Sequence, residues 1–113
     1  MATKAEVERQ LGALMARLDG NEANVRSAIP TRKVLRCLVT DLGAVWYSVV
    51  ENGHVSQPSE TQPNGRADIT LRLGSDDLVE LVEGRTSFLS AFTSGKVKVD
   101  ASIVDLLRLR SLL

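Results

Sequence analysis

The chain has 113 residues, of which 43% are hydrophobic and 25% charged, a composition typical of one soluble globular domain with a single core. Lysines and arginines number 14 and aspartates and glutamates also 14, which argues against nucleic acid as the main partner because phosphate binding requires a basic excess. The single cysteine excludes an internal disulfide and a cysteine-rich zinc site and, with no apolar signal segment at the start, favours the cytoplasm.

The first half of the sequence predicts an amphipathic helix and then three strands. From Ala5 to Asp19 the apolar residues follow helical spacing, and Gly20 is expected to end the helix. Residues 21–30 are expected to form a loop or a short turn of helix. Segments rich in β-branched and aromatic residues then predict strands at 33–39, 44–51 and 54–57. Asn52-Gly53 is a strong hairpin signal between the last two strands.

After a polar loop, the second half predicts two strands and three helices. In chain order these are a strand at 67–73, helices at 75–84 and 86–93, a strand at 96–100 and a helix at 103–113. Ser75 is expected to cap the first of these helices, with Asp76 and Asp77 complementing its dipole. Ser102 and Asp105 resemble a capping box before the last helix. The sum is one α+β domain over residues 1–113, with a mixed or antiparallel sheet of about five strands covered by helices.

The residue types that catalysis or metal binding would need are isolated from one another. His54, the only histidine, lies beside a hairpin turn with no neighbour that would make it a general base. Cys37 lies among apolar strand residues and is expected to pack rather than to act as a nucleophile. Asp76 and Asp77 are explained by the helix start, and no metal-ligand spacing follows them. We therefore expect a binding protein without catalytic residues, metal or cofactor.

The helices of the second half carry more apolar surface than a surface helix normally buries. Three stripes form this surplus: Leu78, Leu81 and Val82; Phe88, Leu89 and Phe92; and the apolar residues of the last helix, among them Leu106 and Leu109. Covering one Leu or Phe stabilises a protein by about 1.5–3 kcal/mol, so leaving several exposed would be a liability. A well-packed core, which composition alone favours, a roof over an apolar cavity, or a dimer interface would each account for the surplus.

The segment ADITLRLGSDDLVELVEGRTSFLSAFTSGKVKV, residues 67–99, carries a specific set of features. It combines an Ala-Asp strand, a helix led by acidic residues, and the AF-x-x-GK pattern of residues 91–96, which runs into a strand of alternating lysines. A leucine-rich end follows. By these features the chain resembles the sterol carrier protein two (SCP-2-like) lipid-binding family. The order of the first helix and hairpins agrees, so the likeness extends over most of the chain.

The resemblance implies a five-stranded sheet whose helices enclose an apolar cavity for sterols, fatty acyl chains or other lipids, with no catalysis, metal or cofactor. A lipid or another apolar small molecule is then the expected partner, with at most transient membrane contact. The resemblance implies a lipid-binding lining of Leu78, Leu81, Val82, Phe88, Leu89 and Phe92, with Leu106 and Leu109 from the last helix.

The alternative is a protein-interaction or dimerisation module of the same fold, whose cavity is filled by its own side chains. A homodimer of this kind would use a two-fold interface built from Leu109, Leu112 and Leu113. In the lipid-binding interpretation, Phe88 and Phe92 form the inward face of a short lid between Gly84 and Gly95. Both rings would then either line the pocket or plug it.

Overall fold

The secondary structure consists of helices and strands in one α+β arrangement, seen in a computed structural model that describes residues 1–112. The elements are α1 (Lys4–Asp19), α2 (Glu22–Ala28), β1 (Lys33–Val39), β2 (Ala44–Glu51), β3 (His54–Val55), β4 (Ile69–Leu73), α3 (Ser75–Val82), α4 (Phe88–Thr93), β5 (Val97–Asp100) and α5 (Ile103–Leu112). Leu113, which the sequence assigns to the last helix, lies outside the described residues. The predicted fold class is confirmed, and residues 21–30 contain a true helix, α2.

The strands form one mixed sheet in the order β3-β2-β1-β4-β5. β1 pairs antiparallel with β2 and parallel with β4, the latter from Leu35↔Ile69 to Val39↔Leu73. The β2-β3 and β4-β5 pairs are antiparallel. Because a strand alternates its side chains between two faces, this register places the four paired residues Leu35, Val39, Ile69 and Leu73 on one face of the sheet.

Two of the five predicted strands have the predicted bounds, and three are shorter, among them β5, which begins at Val97 rather than at residue 96. β1 and β2 have the predicted bounds. β4 begins at Ile69, and the preceding residue, Asp68, is bonded to β1 through both its backbone and its side chain. The Asp68 N–H donates to the Val34 carbonyl at 2.8 Å, and the Asp68 carboxylate accepts the Val34 N–H at 2.8 Å. β3 contains only two residues, and the chain rejoins β2 at a Tyr47↔Ser59 bridge.

The starts of α3 and α4 differ from the prediction. α4 begins at Phe88, after its cap Ser87, rather than at residue 86. Ser75 is not the cap of α3 but its first residue, after Gly74. Its N–H is accepted by the carboxylate of Asp41 at 2.8 Å, so the capping oxygen comes from a distant turn. Ser102 accepts the Asp105 N–H at 3.1 Å, as predicted. The Asp105 carboxylate instead lies 3.3 Å from Lys33, which leaves half of the predicted capping box.

The core lies between one face of the sheet and the helices. Its main cluster joins β1, β2, β4 and β5 to α1, α3, α4 and α5, through residues that include Val7, Leu11, Val39, Trp46, Ile69, Leu73, Leu78, Val82, Phe88, Val97 and Leu109. A second cluster beside β3 contains Met15, Val25, Ile29, Val50 and Val55. Among the described residues, no helix is both long enough and apolar enough to cross a bilayer.

Candidate functional site

A groove of about 360 Å³ lies between α1, the end of α3, the start of α4 and α5. We call it the α3–α4 groove. Its described lining residues are Leu14, Arg17, Leu81, Val82, Gly84, Thr86, Ser87, Phe88 and Leu112. The volume lies at the lower end of the range of about 300–1,000 Å³ that small-molecule sites occupy. The groove is therefore large enough for a slender ligand.

Three of the residues predicted to bind lipid line this groove, namely Leu81, Val82 and Phe88. Leu78 and Leu109 are buried in the main core cluster beneath it, and Leu106 packs against that cluster. The structure thus brings six of the eight predicted residues, which are Leu78, Leu81, Val82, Phe88, Leu106 and Leu109, to one continuous apolar region.

The other two predicted residues lie outside the groove. Leu89 and Phe92 are 47% and 38% exposed. The inward side of this six-residue helix is formed by Phe88 and Ala91, which are both buried. The Phe92 ring stacks on the Phe88 ring, with centroids 6.4 Å apart. Of the two phenylalanines, only Phe88 forms the inward face expected of a lid.

The main core cluster contains one indole group. Trp46, the only tryptophan, is buried there, and its indole N–H has no hydrogen-bond partner among the described residues. A buried donor without a partner costs about 1–3 kcal/mol. Trp46 thus places a polar N–H group within the apolar core.

The polar end of the α3–α4 groove is marked by Arg17, the one charged residue among its described lining. The Arg17 guanidinium donates to the Val82 carbonyl at 3.0 Å, near the end of α3 where backbone carbonyls lack helical partners. The hydroxyl-bearing residues Thr86 and Ser87 lie in the same lining. One groove thus combines an apolar wall with a cation and two hydroxyl groups.

The isolated reactive residues have structural roles. Burial raises the pKa of the Cys37 thiol to about 12, so the thiolate needed for nucleophilic attack is scarce at neutral pH. His54 is exposed, with Nδ1 3.4 Å from a carboxylate oxygen of Asp19. That same oxygen accepts the Val55 N–H at 2.9 Å. Within residues 1–112, no three His, Cys, Asp or Glu side chains lie close enough together to hold a metal ion.

The sequence missed two carboxylates that hold the helices around the groove. Asp41 accepts both the N–H and the hydroxyl of Ser75, at 2.8 and 2.6 Å, and these hydrogen bonds lower the pKa of the Asp41 carboxyl. Asp105, which is buried, lies 3.3 Å from Lys33 at the start of β1. Each carboxylate is distant in sequence from its partner, and no local sequence pattern predicts either interaction.

The residues of the predicted dimer interface on the last helix differ in their exposure. Leu109 is buried in the core, and Leu112 is half-buried in the wall of the α3–α4 groove. Leu113 lies outside the described residues. The exposed apolar side chains of α5 are instead Ile103, Val104 and Leu107.

A comparison with protein families matches residues 6–113 to the SCP-2 sterol transfer family. Among curated proteins, a fatty acid-binding protein of Yarrowia lipolytica is 34% identical over 59 residues, which are 52% of this chain and 46% of that protein. Hydroxysteroid dehydrogenase-like protein 2 of Mus musculus is 33% identical over 52 residues, 46% of this chain and 11% of that protein. The matched segment thus spans less than half the length of either relative.

Solved structures share the fold at low sequence identity. Sterol carrier protein 2 like 2 of Aedes aegypti has a TM-score of 0.73 at 15% identity, over 97% of this chain and 98% of that one. The ubiquinone synthesis protein UbiJ-SCP2 has a TM-score of 0.67 at 22% identity, over 96% and 94%. The sec-alkylsulfatase Pisa1 of Pseudomonas sp. has a TM-score of 0.65 at 24% identity, over 88% of this chain and 15% of that one.

Proposed function

The chain belongs to the SCP-2 sterol transfer family, and we propose that it is a non-catalytic carrier domain that binds a lipid in the α3–α4 groove. The observation that carries this proposal is the lining itself, in which the apolar residues Leu81, Val82 and Phe88 are accompanied by Arg17, bound to the Val82 carbonyl. These three apolar residues come from the segment that resembles the family. A ligand with one long apolar chain and a polar head would match both parts of the groove.

The binding energy would come from the removal of an apolar chain from water. Each buried methylene group contributes about 0.8 kcal/mol, so a chain that is only partly inserted already binds. An apolar wall selects by shape and volume rather than by directed hydrogen bonds. This domain is therefore expected to accept several lipids of similar girth, including fatty acyl chains and sterols.

The polar head would be bound at the end of the groove where Arg17 lies. The Arg17 guanidinium uses one of its five N–H groups on the Val82 carbonyl, which leaves others available for a ligand oxygen. The Ser87 hydroxyl lies in the same lining, whereas the Thr86 hydroxyl already donates to the Glu80 carboxylate at 3.3 Å. An acid or alcohol head group would receive hydrogen bonds from Arg17 and Ser87, and a carboxylate would also gain a charge interaction with Arg17.

Entry of a bulkier ligand would require α4 to move. The helix contains six residues and lies between Gly84 and Gly95, whose φ angles of 79° and 80° are in the left-handed region that favours glycine. Phe88 is the α4 side chain that lines the groove. Outward rotation of α4 between these glycines would carry the Phe88 ring away from the core and enlarge the groove.

The proposal is tested by native mass spectrometry of gently purified protein, with extraction and identification of any bound lipid. We expect one lipid per chain. Phe88→Ala should shift the bound species toward bulkier lipids because it removes the ring from the groove. The matched control Phe92→Ala removes the exposed partner ring and should leave the distribution unchanged. A wild-type chain that carries no lipid and binds no added fatty acid would contradict the proposal.

A protein-interaction module is the second candidate, and the occurrence of the fold within larger proteins favours it. The same fold makes up 15% of the sulfatase chain and, by the matched segment, 11% of the dehydrogenase-like protein, so it also occurs within larger proteins. As a module of this kind, the chain would bind a protein partner with the α3–α4 groove closed. This candidate would be favoured if the wild type did not bind fatty acid and if the Phe88→Ala variant, which removes the ring from the groove, did not bind it either.

A further inference from the structure

We propose that the exposed face of α5 docks onto the surface of an anionic phospholipid bilayer. Ile103, Val104 and Leu107 are 78%, 55% and 59% exposed. In a helix, residues four apart lie on the same side, and Asp105 and Leu109 mark the opposite, buried side of α5. The three exposed apolar residues therefore form one surface, which we call the α5 face.

The charges around the α5 face are positive. Helical spacing places Arg108 and Arg110 on its two edges, one on each side of Leu107. The one acidic residue of α5, Asp105, is buried and lies 3.3 Å from Lys33 and 3.8 Å from Arg108. Arg110 is exposed and makes no ion pair with any residue of the described range. An apolar surface with arginines at its edges matches a bilayer interface that carries anionic head groups.

A second groove lies beside the α5 face and supports the same assignment. It has a volume of about 730 Å³ and lies between α2, the end of α1 and α5. Val104 and Leu107 line it, and Arg108 is the one charged residue among its described lining. Leu112 lines this groove and also the α3–α4 groove. The groove beside the α5 face and the α3–α4 groove thus share a wall residue, so a docked domain would hold the proposed ligand site close to the bilayer.

The test is flotation of the full chain with phosphatidylcholine vesicles that contain or lack phosphatidylserine. We expect tighter binding to the vesicles that contain phosphatidylserine, and a loss of binding as salt is added. The double variant Ile103→Ser, Leu107→Ser should bind at least about tenfold more weakly because two side chains no longer enter the interface. Arg110→Gln should bind about fivefold more weakly, since each interfacial arginine contributes about that factor.

A matched control replaces an exposed leucine of another helix, as Leu89→Ser, and should bind vesicles like the wild type. Binding of a soluble fluorescent fatty acid should be unchanged in all these variants. This readout separates failure of the docking proposal from failure of the lipid-binding proposal. Circular dichroism is used to check that each variant is folded. If the double variant does not fold, Arg110→Gln, an exchange of one exposed polar side chain for another, still tests the proposal.

Three results would overturn the docking proposal. The first is a wild-type chain that does not distinguish vesicles with phosphatidylserine from those without it. The second is equal vesicle binding by the wild type and the Arg110→Gln variant. The third is a wild-type dimer that the double variant converts to a monomer in sedimentation velocity, because the α5 face would then be an interface between two copies of the chain.

Discussion

Gly53 lies in the turn between β2 and β3, where the backbone restricts which side chain fits. Asn52 and Gly53 have φ angles of 54° and 81°, the left-handed pair that a tight hairpin of this type requires. A Cβ atom at Gly53 would also lie 2.8 Å from the backbone carbonyl oxygen of Glu22 in α2. The turn therefore depends on glycine both for its conformation and for its contact with the helix.

Gly53→Ala is expected to lower the free energy of unfolding by about 2–4 kcal/mol, because it adds a backbone clash to an unfavourable φ angle. Urea denaturation measures the change. The matched control is Gly43→Ala, at a φ angle of 59° with open space around the added Cβ, and it should cost only about 1 kcal/mol. Equal losses for the two variants would show that the contact with α2 is unimportant.

Asp41 gives the stability of the protein a defined dependence on pH. Its hydrogen bonds with Ser75 hold the pKa of the folded carboxyl below the ordinary value of 3.8. A group whose pKa falls on folding stabilises the folded state above its unfolded pKa, and this contribution is lost as the pH drops through the lowered folded pKa. Asp41 therefore stabilises the fold at neutral pH and ceases to do so in acid.

We expect Asp41→Asn to be less stable than the wild type at neutral pH, with a difference that shrinks as the pH falls below 3.8. Thermal unfolding of both proteins over this pH range measures the difference. Ser75→Ala provides the control, because it removes the hydroxyl whose hydrogen bond contributes most to the lowered pKa of the Asp41 carboxyl. A difference between wild type and Asp41→Asn that stays constant with pH would contradict this role.

At the scale of elements, an ion pair between Lys33 and Asp105 adds to the apolar contacts that join α5 to the sheet. The Lys33 and Asp105 side chains are 21% and 8% exposed, and their charged atoms lie 3.3 Å apart. Loss of one member leaves the other poorly solvated. Since α5 lines both grooves, its attachment to β1 affects the site as well as the stability of the domain.

Asp105→Asn is expected to cost about 1–3 kcal/mol of unfolding free energy, with increased hydrogen exchange in α5. A double-mutant cycle with Lys33→Met isolates the interaction between the two side chains and should give a coupling energy of about 1 kcal/mol or more. Arg110→Gln, on the exposed side of the same helix, should have almost no effect on stability. A coupling energy near zero would show that α5 is held by apolar contacts alone.

The elements that the sequence predicted well are those with a local signal. β1 and β2 are rich in β-branched residues, and the Asn52-Gly53 turn predicts the hairpin between β2 and β3. The start of α3 was misread because Ser75 is a common capping residue, whereas the actual acceptor is Asp41, 34 positions earlier in the chain. Long-range hydrogen bonds of this kind leave no periodic pattern in the sequence.

At the scale of the whole molecule, the residues that the family resemblance implies for the ligand site differ in their placement. Leu81, Val82 and Phe88 line the α3–α4 groove. Leu89 and Phe92 do not, because α4 buries Phe88 and Ala91 and leaves Leu89 and Phe92 partly exposed. The apolar residues of so short a helix cover nearly half of its circumference, so periodicity could not identify which of them point inward. The sequence did not identify Arg17 as a lining residue because only the folded chain brings α1 next to the end of α3.

The lipid-binding proposal is tested most directly by titrating the chain with a long-chain fatty acid while the fluorescence of Trp46, the only tryptophan, is recorded. We predict saturable one-site binding by the wild type, and binding about tenfold weaker for Leu81→Ser, which removes an apolar side chain from the α3–α4 groove. Leu89→Ser, at an exposed position of α4, should bind like the wild type. No saturable binding by the wild type, or equal weakening by both substitutions, would contradict the assignment of the groove.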